Sequence, residues 1–129
     1  MNITTKLAST PLWTTRQLYR RHKVESGLTV VANLPRGIDA ALIEWATQAD
    51  LAVNIDRKGP WGNPFETPAD GDRDTVCDNY ARLYLPNKPS LLCKISNLKG
   101  KVLVCWCHPK RCHGDHLAEL ANGREVADA

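Results

Sequence analysis

The sequence predicts a small α/β domain with a mostly parallel sheet flanked by helices, and two observations carry this prediction. Apolar β-rich runs alternate with amphipathic helical patterns along the 129 residues. The run from Val102 to Cys107 is apolar on both faces, which is typical of a central strand that is covered on both sides. A chain of this length forms one domain, or two at most.

The first half of the chain contains two predicted helix–strand pairs. Thr14 or Thr15 can cap the first helix, and Asp39 can cap the second, because short polar side chains accept hydrogen bonds from the first free amides of a helix. The predicted elements are a basic helix over residues 13–23, a strand over 28–32, a helix over 39–49 and a strand over 51–55.

The second half begins with the segment Lys58–Phe65, which contains two glycines, two prolines and two aromatic residues. Such a segment forms neither a helix nor a central strand, so we expect a rigid loop. The elements expected after it are a helix from the acidic stretch 70–74 to about residue 84, a helix over 91–98, a strand over 102–107 and a helix over 115–121.

Composition narrows the class of protein. Hydrophobic residues make up 43% of the chain and charged residues 24%, as in ordinary globular proteins, and no apolar stretch is long enough to span a membrane. The segment Met1–Thr10 lacks the apolar run of a signal peptide, so we expect a cytoplasmic protein, or one in the host cytoplasm if a phage encodes it. Five cysteines, an odd number, argue against a disulfide scaffold.

The net charge of +3 conceals an uneven distribution. Residues 79–114 contain seven basic side chains and no acidic one. A positive stretch of this kind favours a polyanionic partner, whereas lysines scattered over several faces would only be solvated. Both interpretations remain open from the sequence.

Cysteine and histidine residues are concentrated between positions 105 and 116. Such side chains are the nitrogen and sulfur ligands that tetrahedral zinc prefers. The spacing lacks the C-x-x-C pair of a standard zinc finger, so a metal-free site and simple packing are the alternatives. The best zinc-ligand set is Cys105, Cys107, Cys112 and His113, with His108 or His116 as substitutes.

The same cluster can be interpreted as catalytic. Cys112 precedes the last helix and stands beside Lys110 and Arg111, and these neighbours are expected to lower a thiol pKa and make the thiol a nucleophile. His113 would then be the base and Asp115 the group that orients it. Adjacent residues seldom face each other, so we expect His113 to pair with Cys107 rather than with Cys112. Alternatively, Asp115 only caps its helix.

The positions of these segments predict one shared crevice. Ligands bind at the carboxyl ends of the strands of an open α/β sheet, and two loops of this chain occupy that place. A basic, aromatic crevice suits a nucleotide or a flipped base, although a large aromatic such as Trp61 is more often a core anchor. The residues expected to face each other are Arg57, Lys58, Trp61 and Asn63 on one loop and Lys110, Arg111, His113 and Asp115 on the other.

Two motifs carry a resemblance to a known family. Arg57 followed by Trp61-Gly-Asn-Pro-Phe65, and then Cys105-Trp-Cys107-x-Pro-x-x-Cys112-His-Gly-Asp115, resemble a small family of uncharacterised bacterial and phage domains recorded as a domain of unknown function. The resemblance covers about residues 53–122. It implies that both motifs form one site, in nucleotide or nucleic-acid metabolism or in phage–host conflict. It also implies an N-terminal extension over residues 1–50 packed on the same domain, an α/β core over 51–123 and a tail over 124–129.

The leading hypothesis is an enzyme-like domain that acts on a nucleotide, base or nucleic acid. Its rival is a non-catalytic, zinc-stabilised module that binds nucleic acid or a host protein, and whether the chain is an enzyme stays open. The predicted catalytic residues are Cys107, His113 and Asp115. The predicted substrate contacts are Arg57, Lys58, Trp61, Asn63, Lys110 and Arg111. Zn²⁺ is the one cofactor considered, a membrane partner is not expected, and the sequence leaves the oligomeric state and the reaction open.

Overall fold

Three short parallel strands form the centre of the computed structural model, which describes residues 12–34, 37–106 and 110–123. The strands are β1 (Val30–Asn33), β2 (Ala52–Asn54) and β3 (Val102–Cys105), in the order β1-β3-β2. Val31 and Val53 both lie opposite Leu103, so β3 is the central strand. The predicted α/β class with a parallel sheet is confirmed. The central strand is described as far as Cys105, and Cys107, the last residue of the predicted strand, lies outside the described residues.

Five α-helices accompany the sheet in the described ranges. They are α1 (Thr15–Glu25), α2 (Ala40–Gln48), α3 (Arg73–Asn79), α4 (Pro89–Leu92) and α5 (His113–Ala121). A π-helical turn over Tyr80–Tyr84 and a 3₁₀ turn over Leu85–Asn87 continue α3, and another 3₁₀ turn over Ile95–Leu98 follows α4. Within these ranges we find no helix with the length and apolar character that crossing a bilayer requires.

Side chains of each strand alternate between two cores, because successive residues of a strand point to opposite faces. On one face Val30 and Val102 pack with Val24 of α1 and with Leu42 and Ala46 of α2. The second core contains Val31, Leu103 and Cys105 from the strands, Tyr80 from the π-helical turn, and Leu117 and Ala118 from α5. Helices therefore cover both faces, and Cys105 points towards α5.

Local capping explains where the helices begin. The Thr14 side chain accepts a hydrogen bond from the Gln17 amide at 3.2 Å, which confirms the first predicted cap. Asp39 precedes α2 but makes no side-chain capping bond, because its carboxylate is bound to Arg20 and to the Asn33 amide. The last helix begins at His113, two residues before the predicted start, because its N-cap is Cys112.

The predicted helix over residues 91–98 is wrong as a single element. It consists of α4, which begins two residues earlier, and a separate 3₁₀ turn. Pro89 occupies the first turn of α4, where a missing amide hydrogen is not needed for helical bonding.

Candidate functional site

A cleft of about 400 Å³ opens at the carboxyl ends of the strands. One wall is the loop that follows β2, and the other is formed by the end of β3, the N-terminus of α5 and part of α3. The cleft brings together the two segments that the sequence predicted to face each other. Its lining residues are Asp56, Arg57, Lys58, Asn63, Phe65, Thr67, Arg73, Val76, Cys77, Cys105, Trp106, Arg111, Cys112 and His113.

Tight turns hold the loop after β2 in place. The Asn54 side chain accepts from the Asp56 amide at 2.9 Å, and the Asp56 side chain accepts from the Lys58 amide at 3.0 Å. Gly62 then crosses back over the loop, where an added Cβ would lie only 2.5 Å from the Arg57 Cα. Only glycine fits so close to backbone atoms, and this contact places Arg57 and Lys58 on the wall of the cleft.

Trp61 and Asn63 support the loop. Trp61 is 7% exposed and lies in the core, where its carbonyl accepts a hydrogen bond from the Tyr80 hydroxyl at 2.8 Å. It does not line the cleft. Asn63 lines the cleft, but its side chain donates to the Val76 carbonyl and accepts from the Phe65 amide. Both polar ends of the Asn63 amide therefore hold the loop against α3.

A capping box begins α5. The Cys112 sulfur accepts from the Gly114 amide at 3.3 Å, and the Asp115 carboxylate accepts from the Cys112 amide at 3.1 Å. Asp115 therefore stabilises the start of the helix, which was the alternative to its catalytic assignment. Its side chain borders a second, smaller cavity of about 250 Å³ rather than the cleft.

His113 is oriented by a backbone carbonyl and not by Asp115. Its Nε2 lies 2.8 Å from the Ile55 carbonyl oxygen, so Nε2 carries the proton and donates it. The lone pair of Nδ1 then faces the Cys112 sulfur at 3.7 Å, contrary to the expectation that these adjacent side chains would point apart. Burial lowers the pKa of His113 below its ordinary value of 6.5, which keeps the ring neutral at pH 7.

Four cationic side chains line the cleft, and carboxylates outside it hold two of them. Arg57 forms an ion pair with Glu66, and Arg111 donates to Asp74 at 3.1 Å and to Asp78 at 2.7 Å. The hydrogen bond from Arg111 lowers the pKa of Asp78. The other two cations of the lining are Lys58 and Arg73.

The basic stretch 79–114 does not form a single positive approach to the cleft. Of its seven basic residues only Arg111 lines the cleft, and Lys110 borders neither cavity. Lys101 lies near the start of β2, where its amine donates to the Asp50 carbonyl. These positions agree with the second interpretation that the sequence left open, in which the basic side chains are scattered over several faces.

Cys105, Cys112 and His113, three members of the predicted zinc-ligand set, line the cleft together. The fourth, Cys107, and the substitute His108 fall outside the described residues. Within the described ranges no three His, Cys, Asp or Glu side chains are grouped closely enough to hold a metal ion. The other substitute, His116, lies half-buried on α5 beside the smaller cavity. Zinc binding remains a prediction.

Some residues of the cleft were not singled out from the sequence. Phe65, Cys77 and Trp106 reach the cleft, and Trp106 is 59% exposed. Arg73 begins α3 and donates to the Arg111 carbonyl at 3.3 Å, across the cleft. In the sequence, the only feature that marks Arg73 is its position beside acidic residues at the predicted start of a helix.

Comparison with known proteins links the chain to uncharacterised ones. A family model described as "Domain of unknown function (DUF4326)" matches residues 43–123, beginning inside α2. The "Uncharacterized 12.4 kDa protein in nrdA-td intergenic region" of Enterobacteria phage T4 is 33% identical over 78 residues, which cover 58% of this chain and 71% of the phage protein. No solved structure matches the chain.

Proposed function

The chain belongs to the family described as Domain of unknown function (DUF4326), and we propose that its cleft binds a nucleotide or nucleobase and performs a reaction on that ligand. One observation carries the proposal, which is that two cations of the cleft wall have no ion-pair partner among the described residues. Four of the residues that line the cleft are Lys or Arg, and Asp56 is the one carboxylate in that lining. Glu66, Asp74 and Asp78 neutralise Arg57 and Arg111 from outside the lining, whereas Lys58 and Arg73 form no ion pair with another described residue. An anionic ligand such as a phosphate is therefore favoured.

Aromatic side chains and the size of the cleft support a nucleotide in particular. Phe65 and Trp106 line the cleft, and exposed aromatic faces stack with nucleobases. The volume of about 400 Å³ lies within the range of small-molecule sites. A phosphate near the cations and a base against an aromatic ring fit together in one cleft of this size.

The thiol and the imidazole on the same wall favour an enzyme over a pure binding module. Cations and aromatic rings suffice for binding, whereas Cys112 and His113 lie 3.7 Å apart and add a potential nucleophile and base. Their place at the carboxyl edge of a parallel sheet, beside a helix N-terminus, is where ligands of α/β domains bind.

Lys58 is the residue best suited to test the proposal, because it lines the cleft and forms no ion pair with another described residue. We expect Lys58→Ala to weaken nucleotide binding about tenfold, through the loss of one charged contact to phosphate. Isothermal titration calorimetry with nucleosides, nucleoside mono- and triphosphates, inorganic phosphate and a short single-stranded oligonucleotide measures the effect. Lys94→Ala removes the same charge at an exposed position that borders neither cavity and serves as the control.

Each outcome has a defined meaning. Nucleotide binding that depends on Lys58 and is accompanied by turnover supports the proposal. Tight, salt-sensitive binding of the oligonucleotide alone, without turnover, supports the rival binding module. No binding by any member of the panel, or equal affinity in both lysine variants, contradicts the proposal.

A further inference from the structure

The thiol of Cys112 caps α5, although sulfur is poorly suited to capping. N-cap positions favour the oxygen atoms of Ser, Thr, Asp and Asn, and a thiol sulfur is a weak acceptor. The Gly114 amide lies 3.3 Å from the sulfur and is its capping donor. A serine would make the same bond more strongly, so capping alone does not account for a cysteine on the wall of the cleft.

Two groups contact the Cys112 sulfur from opposite sides. Helix α5 directs its positive N-terminal end, including the Gly114 amide, at the sulfur. On the other side Nδ1 of His113 presents a lone pair at 3.7 Å, because the Ile55 carbonyl holds the proton of the ring on Nε2. A proton acceptor and a source of anion stabilisation therefore meet at one sulfur atom.

Gly114 allows this arrangement. An added Cβ would lie 2.6 Å from Cδ1 of Ile55 and 3.5 Å from the Cys112 sulfur. The absence of a side chain lets α5 approach Ile55 closely enough for His113 to bond its carbonyl. The close approach and the orientation of the imidazole are thus one structural feature.

We infer that Cys112 is the nucleophile of the proposed enzyme and attacks an electrophilic trigonal carbon of the bound ligand, while Nδ1 of His113 accepts the thiol proton; this inference rests on the proposed function. The sulfur–carbon bond forms as the bond from carbon to the leaving group breaks, and the leaving group departs with the electron pair. The imidazolium returns its proton to the leaving group. Water, activated by the neutral imidazole, then releases the product and restores the thiol, so no oxidant or reductant is needed.

Iodoacetamide tests the nucleophile in the full chain, because it is a small electrophilic carbon with iodide as its leaving group. Cys93 provides an internal reference, since it is exposed and is not among the residues that line the cleft. Cys112 is only 3% exposed, so burial alone predicts that Cys93 reacts first. We expect the opposite, with Cys112 alkylated about tenfold faster at pH 7, as measured by mass spectrometry of the separate peptides.

Two variants separate the reactivity of Cys112 from its structural role as a helix cap. Cys112→Ser keeps a capping oxygen and is expected to keep the melting temperature while losing the label at this site. His113→Gln keeps a nitrogen that can donate to the Ile55 carbonyl but lacks the basic Nδ1, and should slow alkylation of Cys112 by about 100-fold while the rate at Cys93 stays unchanged. If this variant does not fold, as judged by its melting curve, His113→Asn replaces it in the same assay.

The results that overturn the inference are specific. They are slower labelling of Cys112 than of Cys93, an unchanged rate at Cys112 in the folded His113 variant, or about one tightly bound zinc per chain with a protected Cys112. Calorimetry on Cys112→Ser keeps this test separate from that of the proposed function, because the cations of the cleft remain. If nucleotides bind but Cys112 is inert, the inference alone fails. If Cys112 reacts as expected but no nucleotide binds, the proposed ligand class fails.

Discussion

The pKa of His113 is subject to opposing influences in the folded protein. Burial lowers its pKa, while the hydrogen bond to the Ile55 carbonyl and the negative charge of Asp115 act in the opposite direction. Burial prevails, so the folded protein holds the ring in its neutral form more strongly than the unfolded chain does. Protonation of His113 is therefore coupled to unfolding.

This coupling predicts how stability depends on pH. Because the folded pKa is lower than the unfolded value of 6.5, the contribution of His113 is complete above that pH and is lost as the pH falls towards the folded pKa. We expect the melting temperature of the wild type to fall more steeply between pH 7 and pH 5 than that of His113→Gln. Melting curves at several pH values measure both slopes.

His116 provides the comparison for that experiment. Its pKa is also lowered by burial, but it is only half-buried and lies beside the smaller cavity. His116→Gln should therefore leave most of the acid-side loss in place. Parallel pH profiles for wild type and His113→Gln would show that His113 does not carry this dependence.

Among the elements, α1, β1 and α2 meet at one buried carboxylate. Asp39, just before α2, accepts from Arg20 of α1 at 3.0 Å and from the Asn33 amide of β1 at 2.8 Å. Arg20 also donates to the Val31 carbonyl at 2.9 Å. The side chains of Arg20 and Asp39 are 13% and 4% exposed, so this ion pair is shielded from water and ties three elements together.

Removing one charge of this ion pair should destabilise the folded protein. Asp39→Asn leaves the Arg20 guanidinium buried without its counter-ion, and we expect the free energy of unfolding to fall by about 3–5 kcal/mol. Urea denaturation followed by circular dichroism measures the change. Glu25→Gln breaks the exposed pair of Arg21 and Glu25, whose N–O distance is 3.7 Å, and should alter stability by no more than about 0.5 kcal/mol. Equal effects of the two substitutions would contradict this account.

Helix boundaries illustrate what local sequence can and cannot predict. Thr14 was identified as a cap because capping depends on residues three positions apart. Asp39 was assigned the same role, but Arg20, 19 residues away, binds its carboxylate, and nothing in the local pattern reveals that partner. Cys112 was overlooked as a cap because cysteine is not a common capping residue, and this moved the predicted start of the last helix by two residues.

For the molecule as a whole, the alternation of strands and helices was enough to predict the parallel sheet. Parallel strands share one carboxyl edge, so the meeting of the two motif segments could also be predicted. The ion-pair partners of the arginines that line the cleft could not be predicted from the sequence. Arg111 pairs with Asp74 and Asp78, more than 30 residues away, and these contacts depend on how α3 packs against the start of α5.

The region matched by the family model leaves out α1 and β1, and this has a consequence for stability. A chain that begins at Gly37 loses Val24, Val30 and Ala32 from one core and the strand that pairs with one side of β3. We expect this fragment to show no cooperative unfolding transition by circular dichroism. A chain that begins at Leu12 retains every described element and should unfold cooperatively, whereas a cooperative transition in the shorter fragment would contradict the prediction.

The order β1-β3-β2 also bears on synthesis at the ribosome. The strand at the middle of the sheet is made last, so β1 and β2 emerge about 70 and 50 residues, respectively, before the segment that joins them. Until Val102–Cys105 leaves the exit tunnel, both earlier strands carry unpaired backbone groups on an apolar nascent chain. Ribosomal pausing before that point would lengthen the exposure, and a holdase chaperone would find its binding segment there.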